Sequence, residues 1–376
     1  MKKILSLLLL AALFSCTSTH DGYTIRATIT GIDSAMVILK VQIRTNTDFD
    51  IPADTIQMVN GTFTYKKKIT TPEAYTLSIQ TTPPVSFPIF LENCAVSIKG
   101  DVSDISSIEI KAGKYQAVMD SLTKVKKAIY DNFAPIEEII NELRDPATPD
   151  ARKQELREVA NELNSKVIEV DVNYVEQNPT SRLALSRFVS SLGQYGGTQA
   201  ELEEQLAAFT NAFPEGADNR LIRYAQTIVA TYQSIQIGMP APDFTMNDPK
   251  GNPIKLSDFY VQNKVTMIDF WAGWCSPCRQ FNPMLVSIYN KHHKEGFGIL
   301  GVSFDHTESQ WIQAISDDKL TWPQVSELTF WDNTAAKLYF VRYIPQNIFV
   351  DQNGIIVARR LEGGEIDAFL AEFLGK

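Results

Sequence analysis

The chain has 376 residues, longer than one typical domain, and its 44% hydrophobic content suffices for packed cores while 21% charged residues argues against global disorder. A net charge of −9, from 35 Lys and Arg against 44 Asp and Glu, gives no electrostatic reason to expect nucleic acid as a partner. Acidic solubility accounts for the sign.

Lys2-Lys3 is a basic start, and Ile4 to Phe14 is an apolar stretch too short to span a bilayer as a mature helix. Leu13-Phe14-Ser15-Cys16 resembles a bacterial lipobox. That resemblance implies a signal peptide over residues 1–16, with Cys16 lipidated and made the new N-terminus. The mature protein is then an exported, lipid-anchored protein of the cell envelope, facing the periplasm. Phe14 is bulkier than usual in that box, which leaves ordinary secretion as the alternative.

Residues 17–112 read as a small all-β, sandwich-like or barrel-like domain. Tyr23 to Ile29 alternates, Met36 to Val41 is rich in β-formers, and Asn60-Gly61 between Ile56-Gln57-Met58-Val59 and Thr62-Phe63-Thr64-Tyr65 is a hairpin signal. Cys94 falls in a strand-like pattern where a small buried thiol is ordinary, and it reads as structural and unpaired.

From 113 to 235 the period changes. Leu156, Val159, Ala160, Leu163, Val167, Val170 and Val175 recur at three and four residues, which predicts helices. Breaks at Asp145 to Pro149, Asn178 to Ser181, Gln194 to Gly197 and Pro214 to Gly216 divide them, and Thr180 or Ser181 is expected to cap the helix carrying Leu183, Leu185 and Phe188. The charged runs mark a wet face, with a partner groove or a homo-oligomer seam as the alternative.

Gly238, Pro240 and Pro242 mark a boundary, and 236–376 forms the last module. Val265 to Phe270 is a strand run ahead of Trp271-Ala272-Gly273-Trp274-Cys275-Ser276-Pro277-Cys278-Arg279, and the helical pattern Phe281, Leu285, Ile288, Tyr289 follows. Two thiols therefore sit where a strand hands over to a helix. Free N–H groups and the partial positive charge of a helix start favour Cys275 as a thiolate. Cys278, one turn on, is expected to be covered and to resolve a mixed disulfide on Cys275. A half zinc site and a purely structural disulfide are the competing readings. Zinc would want a second pair at ligand spacing, and His292-His293 are adjacent, so neither metal nor cofactor is expected.

Further on, Phe297 to Phe304 reads as a buried strand and Glu308 to Asp318 as a helix with Trp311, Ile312 and Ile315 inward. A helical stretch near Thr334 to Phe340, strands near Gln346 to Val350 and Ile355 to Arg359 joined at Asp351 to Gly354, and a helix over Glu365 to Leu374 complete the chain. The alternation predicts an α/β module with a mixed sheet and a terminal hairpin, so the whole chain reads as multidomain. Asp269 is either on the solvent face of an edge strand or buried with a raised pKa, and Pro345 on its own is a strand-start proline.

The stretch Ile268 to Arg279 resembles the active-site segment of the thioredoxin superfamily. Gly238-Met239-Pro240-Ala241-Pro242-Asp243-Phe244, Leu256-Ser257-Asp258-Phe259, and Ile344-Pro345 followed by Ile348-Phe349-Val350-Asp351-Gln352-Asn353-Gly354 resemble its TlpA/ResA-like branch. More loosely, Gly31-Ile32-Asp33, Asp54-Thr55, Asn60 to Phe63 and Phe90-Leu91-Glu92 resemble a β-domain of unknown function that precedes thioredoxin modules in many envelope lipoproteins.

The resemblance implies a cis Pro345 lying against both thiols, with the backbone of Ile344 free to pair with substrate and Trp274 shaping the rim. It implies a buried Asp269 exchanging the Cys278 proton. Gly301 stands where thioredoxins carry a lysine beside that acid, Phe281 stands where many relatives carry a glutamate, and Pro283 matches the helix-kinking proline. The function implied is an envelope thiol:disulfide oxidoreductase that reduces disulfide-bonded protein clients and draws electrons from a transmembrane thiol reductase. Apocytochrome c is one compatible client. A peroxiredoxin-like peroxidase and a lipid-anchored binding module with incidental thiols are the alternatives.

Overall fold

Alternation in the first strand puts Tyr23, Ile25, Ala27 and Ile29 on one buried face, as a half-buried sheet requires. The computed structural model describes residues 21–43, 51–133, 136–145, 147–192, 199–213 and 220–375; Cys16 lies outside them. It divides into two compact units, one running up to Ser190 and including Ala207–Tyr224, the other comprising Ser191–Leu206 and the residues from Ala225 on.

The first unit opens with eight strands: β1 (Tyr23–Thr30), β2 (Ser34–Val41), β3 (Asp54–Val59), β4 (Thr62–Lys67), β5 (Glu73–Ile79), β6 (Val85–Leu91), β7 (Ala95–Asp101) and β8 (Asp104–Lys111). They form one hydrogen-bonded sheet in the order β6-β5-β2-β3-β4-β1-β7-β8. Its pairings are antiparallel except β1 with β7, which run parallel. Tyr23, Val37, Met58, Leu77, Ile89 and Ile98 share its core with the buried Cys94. The Asn60-Gly61 turn has positive φ at both residues (50° and 66°), the geometry of a tight two-residue hairpin. A Cβ on Gly61 would lie 2.4 Å from the Ile29 carbonyl oxygen, so glycine is required there on two counts.

Helices α1 (Lys114–Asp131), α2 (Ile136–Arg144), α3 (Asp150–Gln177), α4 (Arg182–Ser191), α5 (Gln199–Ala212) and α6 (Arg220–Ser234) follow. Along α3 the apolar stripe buries Leu156, Leu163 and Val175, while the positions between them are only partly covered. Of the two expected caps, Ser181 acts: its Oγ accepts from the Ala184 N–H at 3.3 Å.

The second unit contains β9 (Thr245–Asn247), β10 (Pro253–Lys255), α7 (Leu256–Tyr260), β11 (Val265–Trp271), α8 (Ser276–His292), β12 (Phe297–Ser303), α9 (Glu308–Asp317), β13 (Gln324–Ser326), α10 (Thr334–Leu338), β14 (Gln346–Asp351), β15 (Ile356–Arg359) and α11 (Gly364–Leu374). The mixed sheet has the order β10-β9-β13-β12-β11-β14-β15. Every residue of β11 and β12 is buried, which requires cover on both faces and explains why both are mostly apolar. One expectation is corrected in α9. Trp311 and Ala314 turn inward, but Ile312 is 42% exposed. Adjacent residues on a helix lie about 100° apart, so with Trp311 and Ala314 facing the core Ile312 falls outside the buried stripe.

Candidate active site

Strand β11 ends at Trp271, and after three intervening residues the chain starts α8 with Cys275 as its cap residue. The Cys278 N–H donates to Cys275 Sγ at 3.2 Å, and the Arg279 N–H reaches the Cys275 carbonyl at 3.0 Å. Pro277 brings no N–H, and the Cys278 N–H is the first-turn donor that meets the sulfur. Lys291 stands in the last turn, in accord with the helix dipole, and no acidic residue in the first turn competes with the sulfur for its positive end. The two cysteines form a disulfide with a Cα–Cα separation of 5.2 Å. Cys275 is 4% exposed and Cys278 fully buried.

The approach to the pair is held from two sides. The Gly273 N–H donates to Asp305 Oδ2 at 2.8 Å, and Arg279 Nη1 donates back to the Gly273 carbonyl at 3.2 Å. Arg279 also grips Asp318 with Nε and Nη2, and Asn282 donates to the same carboxylate at 2.7 Å. A Cβ on Gly273 would come within 2.9 Å of the Ala314 methyl, so this close passage past α9 depends on glycine.

Opposite the disulfide, the Ile344–Pro345 peptide is cis, and Cys275 Sγ lies 3.8 Å from the Ile344 carbonyl oxygen. Trp271 is fully buried, but Trp274 is only half-buried; its Nε1 donates to the Phe304 carbonyl at 3.2 Å. Its ring lies 5.2 Å from Phe330 and 6.3 Å from Trp331, both substantially exposed, so a wider aromatic surface adjoins the first cysteine. Asp269 is buried in β11, with β12 on one side and β14 on the other, rather than on an edge strand. Burial alone pushes its carboxyl up to about 7.

Residues 237–359 match the AhpC/TSA family, and residues 23–119 match a domain of unknown function, DUF4369. The chain is 26% identical over 144 residues to the thiol-disulfide oxidoreductase ResA of Bacillus thuringiensis, covering 38% of this chain and 80% of that one. The C-terminal module is that of an AhpC/TSA-family, thioredoxin-like thiol-disulfide oxidoreductase. Among solved structures, this oxidoreductase is similar to the thioredoxin domain of a thiol-disulfide oxidoreductase from Bacteroides vulgatus. The identity is 36%, over 38% of this chain and 99% of that one, with a TM-score of 0.35. A thiol-disulfide oxidoreductase from Bacteroides fragilis is 32% identical, over 35% and 98%, with a TM-score of 0.34.

The oxidoreductase also uses residues to which the sequence reading gave no role. Asp305 is fully buried and holds the loop before Cys275, yet in sequence it is one acid at a strand end. Asp318 meets Arg279 from 39 residues away. Phe330 and Trp331 reach Trp274 from a short 3₁₀ turn, and only their apolar character so close to the Pro345 loop could have drawn attention to them.

Proposed function

We propose that this chain reduces disulfides of exported proteins in the cell envelope, with Cys275 as the attacking thiolate and Cys278 as the resolving thiol. The observation that carries the assignment is the position of Cys275 at the first turn of α8, its sulfur accepting an N–H from a Cys278 that is itself buried. In the reduced state the Cys275 thiolate attacks one sulfur of a client disulfide. A Cys275–client mixed disulfide forms and the client's other sulfur leaves as thiolate. Cys278, giving up its proton, then attacks Cys275 Sγ; the Cys275–Cys278 bond closes and the client departs as a dithiol. Two electrons pass from the pair to the client, and a dithiol donor, a transmembrane thiol reductase in this reading, returns them.

Asp269 takes the Cys278 proton as the bond closes; a buried carboxyl poised at about 7 can both hold and return it near neutral pH. An extended client segment lies along Ile344 and Pro345 and against Trp274. Cys16 carries the lipid that keeps the module at the membrane surface. Among the described residues no helix is long and apolar enough to cross a membrane. Residues 17–112 and 113–235 serve docking or spacing.

Trapping tests the reading. A Cys278→Ala chain expressed with Cys16 intact is expected to accumulate mixed disulfides with envelope proteins through Cys275, identifiable by mass spectrometry and lost on reduction. No adducts, together with unchanged insulin reduction by Cys275→Ala, contradicts it.

A further inference from the structure

Four strands present an in-register row of buried positions: Gln324 on β13, Gly301 on β12, Asp269 on β11 and Asn347 on β14. Residues paired in this way point to the same face of a sheet. Gly301 has no side chain, and the Gln324 carboxamide lies in the space this leaves. A Cβ built on Gly301 would be 2.1 Å from Gln324 Oε1 and 2.7 Å from its Nε2. The orientation of that amide is set chemically. Trp271 Nε1 is a donor and nothing else, and it bonds Gln324 Oε1 at 2.9 Å, so the –NH₂ end must face the other way.

Two complementary atoms are then left over. Gln324 Nε2, a donor, and Asp269 Oδ2, an acceptor, are both buried and have no partner among the described residues. Gln324 is 3% exposed and Asp269 2%. An unmatched donor and acceptor in one interior cost free energy unless they are joined, and water is the usual joint when the gap exceeds one hydrogen bond. Gln324 and Asp269 flank Gly301 in register, and the Gln324 carboxamide already reaches across that glycine from β13.

We propose that Gln324 is a positioning residue for Asp269: held by Trp271, its amide N–H donates to one internal water between the two side chains, and that water donates to the Asp269 carboxylate. This rests on the reading that Asp269 exchanges the Cys278 proton. The in-register neighbours of Asp269 on β12 and β14, Gly301 and Asn347, are uncharged, Cys278 is the ionisable group of the reaction, and burial is the sole cause of the raised Asp269 carboxyl. A hydrogen bond to the ionised form is therefore the lever left for adjusting it.

The test uses the full chain and compares pH profiles of insulin reduction for the wild type, Asp269→Asn and Gln324→Met. Methionine keeps the length and bulk of Gln324 and removes the N–H. Asp269→Asn is expected to abolish the inflection near neutrality, and Gln324→Met to move it upward by about one pH unit. An inflection that Asp269→Asn abolishes and Gln324→Met leaves in place overturns the role of Gln324 while the Asp269 reading stands. A wild-type profile unchanged by Asp269→Asn sinks the Asp269 reading itself, and the proposal with it. A high-resolution crystal structure of the wild type decides independently of any variant's folding. A water within hydrogen-bond distance of both Gln324 Nε2 and Asp269 Oδ2 supports the bridge, and a dry gap overturns it.

Discussion

The backbone N–H of Cys278 donates to the sulfur of Cys275 at 3.2 Å, so the first cysteine caps the helix that buries the second. The relationship makes the two thiols unequal by construction. In the reduced full chain, iodoacetamide should modify Cys275 first and leave Cys278 essentially unreacted until the protein is unfolded. Peptide mapping after brief labelling checks this, and equal labelling of both cysteines runs against it.

Asp269 should make the C-terminal unit less stable as pH rises. Its carboxyl keeps the proton to about pH 7 when folded but releases it near the ordinary 3.8 when unfolded. The unfolded state is therefore favoured progressively between those two values, and the penalty is constant above them. Asp269→Asn removes the penalty. The variant should be more stable than wild type by roughly 2–4 kcal/mol at pH 8, with the difference vanishing below about pH 4. Tryptophan fluorescence isolates the unit, because Trp271, Trp274, Trp311, Trp322 and Trp331 are the chain's five tryptophans.

Arg279 joins the Gly273 carbonyl to Asp318 through three of its nitrogens, a span that a lysine ammonium cannot cover. Arg279→Lys keeps the charge and should still cost the C-terminal unit about 1–2 kcal/mol, read from denaturant midpoints. Insulin reduction should fall as well, because Gly273, in the loop before Cys275, loses one of the two side-chain hydrogen bonds that hold it.

Trp274, Phe330 and Trp331 form an aromatic surface beside Cys275; in the proposed function it meets large clients and matters little to small thiols. Trp274→Ala should raise KM for insulin several-fold and leave reduction of the Cys275–Cys278 bond by dithiothreitol nearly unchanged. Equal losses in both assays would indicate a packing role instead.

Local features of the site were legible in sequence. The mostly apolar run of β11, the cysteines at its junction with α8, and the turn signals at Asn60-Gly61 and Asp351 to Gly354 are short-range patterns that short-range physics enforces. Features made by pairing were not. The three residues of β13 carry too little pattern to reveal that Gln324 lies beside Gly301, and nothing local announces that β1 runs parallel to β7. Asp269 was ambiguous for the same reason: a central and an edge strand differ only in their neighbours. Ile312 was misplaced because Trp311, Ile312 and Ile315 fit a helical stripe as well as Trp311 and Ala314 do, and tertiary packing chose the second.

Ionisation of Cys275 in the reduced chain, followed by thiolate ultraviolet absorbance against pH with Cys275→Ser as the blank, tests the account most directly. The helix start predicts a thiol that ionises at least about one pH unit below the ordinary 8.5. A Cys275 that titrates at about 8.5 or above, in a protein that leaves the bridges of insulin intact, would contradict it.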